Sequence, residues 1–102
     1  MDILIYIKRL AIEGRLDFTL KATLEMDADN LTKRDVVEAL VTASRISKVL
    51  KSRSRFRENR VEKLYIIKGK TFSGVPVYTK GTCRRVQESE VFYVLISSKR
   101  AL

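Results

Sequence analysis

Val91-Phe92-Tyr93-Val94-Leu95-Ile96 is six apolar residues without a polar interruption. Such a run predicts a central strand, buried on both of its faces. Working back along the chain, three more segments have β character. Val75 to Val86 contains one, Lys63-Leu64-Tyr65-Ile66-Ile67-Lys68 is another, and Ile46 to Arg53 forms a third around Val49 and Leu50. Phe72-Ser73-Gly74-Val75-Pro76 supplies the turn between the middle two. Ahead of them the period is helical. Ile3, Leu4, Ile7, Leu10 and Ala11 predict a helix over residues 2–13 closed by Gly14. Thr19 can cap a second helix over about 20–28, with Met26 as core filler. Thr32 with Asp35 makes a capping-box start for the clearest helix, 33–44, whose apolar face is Val36, Val37, Leu40 and Val41. Helices first and strands after predict an α+β fold, with N-terminal helices packed on one face of a mainly antiparallel four-stranded sheet. The other face is then free to carry charge.

The 102 residues fit one domain, 1–102, with no repeat, low-complexity stretch or linker. The composition, 45% hydrophobic and 32% charged, is that of a folded chain. No apolar run approaches the roughly 20 residues of a membrane span, and the apolar N-terminus lacks a basic n-region. Cys83 is the one cysteine, which predicts a half-buried strand thiol in a reducing, cytoplasmic setting. Histidine is absent. That excludes Ser-His-Asp and Cys-His catalysis, His-ligated zinc and an imidazole base. Gly69-Lys70-Thr71 has the tail of a phosphate-binding loop, but Leu64 stands where that loop needs glycine, and a turn follows instead of a helix.

Charge is segregated. Residues 1–44 carry six basic and eight acidic side chains, net −2; residues 45–102 carry fifteen and four, net +11. A basic half of this size points to a polyanion, and nucleic acid is the commonest. Lys51, Arg53, Arg55 and Arg57 recur at intervals of two. On a continuous strand they form a comb of cations roughly 7 Å apart, suited to successive phosphates. In a loop the charge remains and the fixed geometry does not. Tyr78, Lys80, Thr82 and Arg84 share one face of the third strand by the same alternation.

The stretches Leu50-Lys51-Ser52, Val61-Glu62-Lys63-Leu64-Tyr65, Val77-Tyr78-Thr79-Lys80 and Ser97-Ser98-Lys99 resemble, in order and approximate spacing, the motifs of the MqsR group of bacterial toxins. That group belongs to the wider RelE-like ribonuclease fold. Its pattern runs tyrosine-lysine-serine, tryptophan-glutamine-aspartate-valine-tyrosine, valine-tyrosine-leucine-lysine and serine-phenylalanine-lysine. Leu50 replaces the first aromatic, and Glu62 replaces the glutamine. The helical half, with Lys33-Arg34-Asp35-Val36-Val37-Glu38-Ala39-Leu40, resembles the helix before the family's first strand more loosely.

The resemblance implies an mRNA-cleaving toxin that needs no metal or other cofactor and is silenced by a cognate antitoxin. It places catalytic groups at Lys51, Glu62, Tyr78 and Lys99. Cleavage of RNA by its own 2′-hydroxyl needs a base, an acid for the departing 5′-oxygen and cations for the crowded charge. Lys51, Glu62 or Tyr78 would be the base and Lys99 or Tyr78 the acid, with Arg53, Arg55, Arg57 and Lys80 on the RNA. The competing reading is a non-catalytic module binding RNA, the ribosome or DNA through the same basic face.

Overall fold

A computed structural model describes residues 2–53, 61–86 and 89–102. Three helices come first, each begun by a side chain that satisfies otherwise unpaired amides. The Asp2 carboxylate accepts from Leu4 N and Ile5 N at 2.9 and 3.3 Å and opens α1, Ile3–Ile12. Thr19 Oγ1 accepts from Ala22 N and opens α2, Leu20–Ala28. Thr32 and Asp35 form the full capping box of α3, Lys33–Thr42, with bonds of 3.1 and 2.9 Å. The helices buried in sequence order are therefore those the caps announce.

Five strands complete the chain: β1 Leu16–Phe18, β2 Lys48–Arg53, β3 Val61–Lys70, β4 Pro76–Val86 and β5 Glu90–Arg100. They form one sheet in the order β1-β5-β4-β3-β2. The α+β class holds, but the sheet is five-stranded and mixed rather than four-stranded. The added strand, β1, runs parallel to β5, with Leu16 opposite Tyr93 and Phe18 opposite Leu95. The three residues of β1 are too few to display a period of two. The remaining pairs are antiparallel.

Ile7, Leu10 and Ala11 of α1, Ala22 and Met26 of α2, and Val36, Ala39 and Leu40 of α3 share one core with Ile67, Val77, Tyr93 and Leu95 of the sheet. All three helices thus cover one face. Two glycines permit the close fit. A Cβ on Gly69 would overlap the Ala39 carbonyl of α3, and one on Gly81 would stand 2.6 Å from the Tyr93 ring. Tyr93, Val94 and Leu95 at the centre of the apolar run are buried, while Val91, Phe92 and Ile96 are only half-buried, so the double-faced burial expected of the whole run holds at its middle alone.

Cys83 lies opposite Tyr93 and packs against this core. Burial pushes its thiol from an ordinary value of 9.0 up to about 11, and raises the Tyr93 phenol as well. Both groups keep their protons in the folded chain at a pH where the unfolded chain has lost them. The Cys83 contribution is therefore complete below about pH 9 and is lost as the pH rises through about 11, and that of Tyr93, whose ordinary value is 10.0, begins to fall only above about pH 10.

Two outcomes follow for stability. Gly69→Ala lowers unfolding free energy in urea by about 2 to 3 kcal/mol, the scale of an overpacked core. Gly14→Ala, at φ +77° with nothing within 4 Å of the added carbon, costs only about 1 kcal/mol for the left-handed backbone. Equal midpoints for the two variants would contradict the packing account. In the second test, unfolding at pH 8, 9, 10 and 11 shows stability falling above pH 9, with a shallower fall in Cys83→Ala. A flat profile would contradict the burial of these protons.

Candidate nucleic-acid interface

Side chains alternate along each strand, so core residues identify the opposite face. Tyr65 and Ile67 of β3 pack towards the helices, which puts Glu62, Leu64, Ile66 and Lys68 on the helix-free face. The β3–β4 hairpin registers Lys68 opposite Tyr78 and Ile66 opposite Lys80. The expected face of Tyr78, Lys80, Thr82 and Arg84 is therefore the free one.

Lys99 of β5 pairs with Tyr78 in register, and its Nζ lies 5.5 Å from the centre of the Tyr78 ring. An ammonium at that distance over a phenol ring is held by the ring quadrupole. Lys68, Tyr78 and Lys99 thus form a row across three strands, spaced at about 4.8 Å per strand. Together with Arg100, Ala101 and Leu102 they line an open cleft of about 420 Å³. Its lining residues are basic, phenolic or apolar, with no acidic one among them; Arg100 stands in register with the core residue Val77, so its side chain leaves on the face opposite Lys99. One step along the strands, Lys48 and Lys80 flank Ile66 in a second row.

Lys99 reaches this face because of an irregularity. Gly81 pairs with Leu95 and Lys80 with Ser97, so Ile96 is one extra residue on β5. In a regular strand, Leu95 and Lys99 would share a face. The bulge reverses the alternation, leaving Leu95 in the core and placing Lys99 beside Tyr78.

The other expected catalytic residues lie elsewhere. Lys51 pairs with Lys63, in line with Val49 and Tyr65, and is on the helix-bearing side of the edge strand β2. Glu62 is on the free face but far from the cleft. Arg84 binds it in a fork, Nε to Oε2 at 2.9 Å and Nη2 to Oε1 at 3.0 Å. Six residues of β4 separate Arg84 from Tyr78, about 20 Å at 3.3 Å per residue. The hydrogen bond to Glu62, with the charges of Glu62 and Asp17, raises the Arg84 pKa against the opposing effect of burial. Arg53 ends β2 opposite Val61. Arg55 and Arg57 lie outside the described residues, so the upper half of the comb does too.

Lys68 and Arg100 are site residues that motif reading missed. For Lys68 a signal existed: a hairpin centred on Ser73 sets residue 68 opposite residue 78. Among the described residues, no three Cys, Asp or Glu side chains gather where they could hold a metal ion.

The Glu62–Arg84 pair is tested by a double-mutant cycle on stability with Glu62→Gln and Arg84→Met. Coupling on the order of 1 to 3 kcal/mol is expected for a charge-assisted fork that is largely covered. A value near zero would show that the fork is a solvent-exposed pair of no consequence.

Scans against protein-family models, curated proteins and solved structures return no match to this chain.

Proposed function

We propose that this chain is a metal-independent endoribonuclease toxin of the RelE-like kind, cleaving mRNA by 2′-hydroxyl attack on the adjacent phosphate. The observation that carries the reading is the Tyr78–Lys99 pair in a cleft also lined by Lys68 and Arg100. Two of the four motif residues of the resembled family thereby meet, on strands whose sequence neighbours do not predict it. With Lys51 and Glu62 distant, Tyr78 and Lys99 divide the acid–base work.

The scissile phosphate sits between Lys68 and Lys99, whose charges offset the additional negative charge of the five-coordinate phosphorus. Tyr78 acts as the phenolate: it takes the proton of the 2′-hydroxyl and becomes the phenol as the 2′-oxygen bonds to phosphorus. The Lys99 ammonium gives a proton to the 5′-oxygen as its bond to phosphorus breaks. The products are a 2′,3′-cyclic phosphate and a free 5′-hydroxyl, and the two side chains recover their protonation states through water. Lys80 and Lys48 hold neighbouring phosphates of the strand. A cognate antitoxin with an acidic surface covers this cationic face and silences it. The compartment is the cytoplasm, where mRNA and the ribosome are partners.

A second reading has its own support. Lys51 faces away from the cleft and Glu62 is held by Arg84, which suits a face that binds RNA, the ribosome or DNA without cleaving it.

Incubation with long single-stranded RNA separates the two. The enzyme yields fragments ending in 2′,3′-cyclic phosphate, equally with and without a chelator. Tyr78→Phe cuts the rate by about 10²-fold, the scale of a lost acid–base group. Lys51→Gln stays within about threefold, since it removes only distant charge. Binding without cleavage under every condition would leave the non-catalytic module. Loss of cleavage in chelator would sink the metal-free chemistry.

A further inference from the structure

Strand β5 lies between β4 and β1, and β1 is too short to cover it. Ladder pairing with β1 ends where Phe18 meets Leu95; Thr19 N and Oγ1 then both donate to Leu95 O, and Oγ1 also donates to Ile96 O. Beyond the bulge at Ile96, the outward amides of β5 have no strand beside them. Helix α2 takes that place. Glu25 Oε1 accepts from Ser98 N at 3.2 Å and from Ser97 Oγ at 2.8 Å. Asp29 Oδ2 accepts from Arg100 N at 2.8 Å.

The spacing fits helix to strand. Four helical residues rise about 6.0 Å and two strand residues about 6.7 Å, so carboxylates four apart meet amides two apart. Between those two amides stands Lys99, whose side chain leaves on the opposite face and lies against Tyr78. Arg100, the other cation of the cleft from this strand, is held by its own amide. Two acids of the −2 half, Glu25 and Asp29, are thus used on the backbone behind the cleft.

We propose that Glu25 and Asp29 are positioning residues of the cleft, fixing the bulged end of β5 so that Lys99 stands beside Tyr78; this rests on reading that pair as the reacting groups. Neither carboxylate touches RNA. Each acts through a backbone amide, so an amide oxygen in the same place serves as well as a carboxylate.

The test compares Glu25→Ala with Glu25→Gln, and Asp29→Ala with Asp29→Asn, in the full chain. Two-dimensional NMR with hydrogen exchange reads the Ser98 and Arg100 amides and the Tyr78 ring resonances without using activity. The alanine variants are expected to lose protection at the amide concerned by tenfold or more and to shift the Tyr78 ring signals. The Gln and Asn variants retain both. On RNA, the alanine variants lower kcat by about 10-fold to 10²-fold with KM within twofold, since displacement of about 1 Å has that effect on a reacting group.

Unmoved amides and Tyr78 signals in the alanine variants would overturn the proposal, as would equal losses in the Gln and Asn variants. If Glu25→Ala does not fold, Asp29→Ala carries the comparison through the Arg100 amide. If the unaltered protein does not cleave RNA, the enzymatic reading fails, and the exchange and ring signals still decide whether the carboxylates place Lys99.

Discussion

Strand β5 has to satisfy two faces at once. Its first half is core: Tyr93 lies beneath Gly81, where no side chain would fit, and Leu95 meets the helices. Its second half must deliver Lys99 to the face without helices. Regular alternation forbids both, because residues 95 and 99 would share a side. The extra residue Ile96 resolves the conflict, and the rest of the architecture is arranged around it. Gly81 sits where the register shifts, and α2 supplies acceptors where β1 has ended.

The two charge halves of the sequence correspond to two layers. The helical layer keeps its acids on caps and clamps: Asp2 and Asp35 on helix starts, Glu25 and Asp29 on the β5 amides, and Glu38 on the amide of Phe72. On the uncovered face the sheet layer presents Lys68 and Lys99 beside Tyr78, with Lys80 one step away, while Lys51 and Lys63 lie on the helix-bearing side. The face is not uniformly basic. At its far end Glu62 neutralises Arg84, and Asp17 lies close enough to act on the same guanidinium. The result is a surface with direction, whose open cationic end contains Tyr78.

Much of this was legible from residues alone because the signals were local. The helix starts at Asp2, Thr19 and Thr32 lie where side-chain caps put them, and the unbroken run from Val91 marks the strand whose centre, Tyr93 to Leu95, is buried. Alternation on β4 correctly groups Tyr78 with Lys80, Thr82 and Arg84. What escaped was non-local. β1 is defined by its partner rather than its own period, and the bulge exists only as a mismatch between two strands. The side on which Lys51 lies depends on the register of β2 against β3. Motif order alone brings Lys51 and Glu62 to the site; the pleat and the Arg84 fork take them away from it.

The central claim is that single-stranded RNA is held with a phosphate at the Tyr78–Lys99 cleft. The most direct measurement is an NMR titration with a single strand made uncleavable by 2′-deoxy substitution. Shifts centred on Lys68, Tyr78, Lys99 and Arg100, fading towards Glu62 and Arg84, are the predicted result. Shifts centred instead on Lys51 and Lys63, or on the Glu62–Arg84 end of the face, would contradict the account.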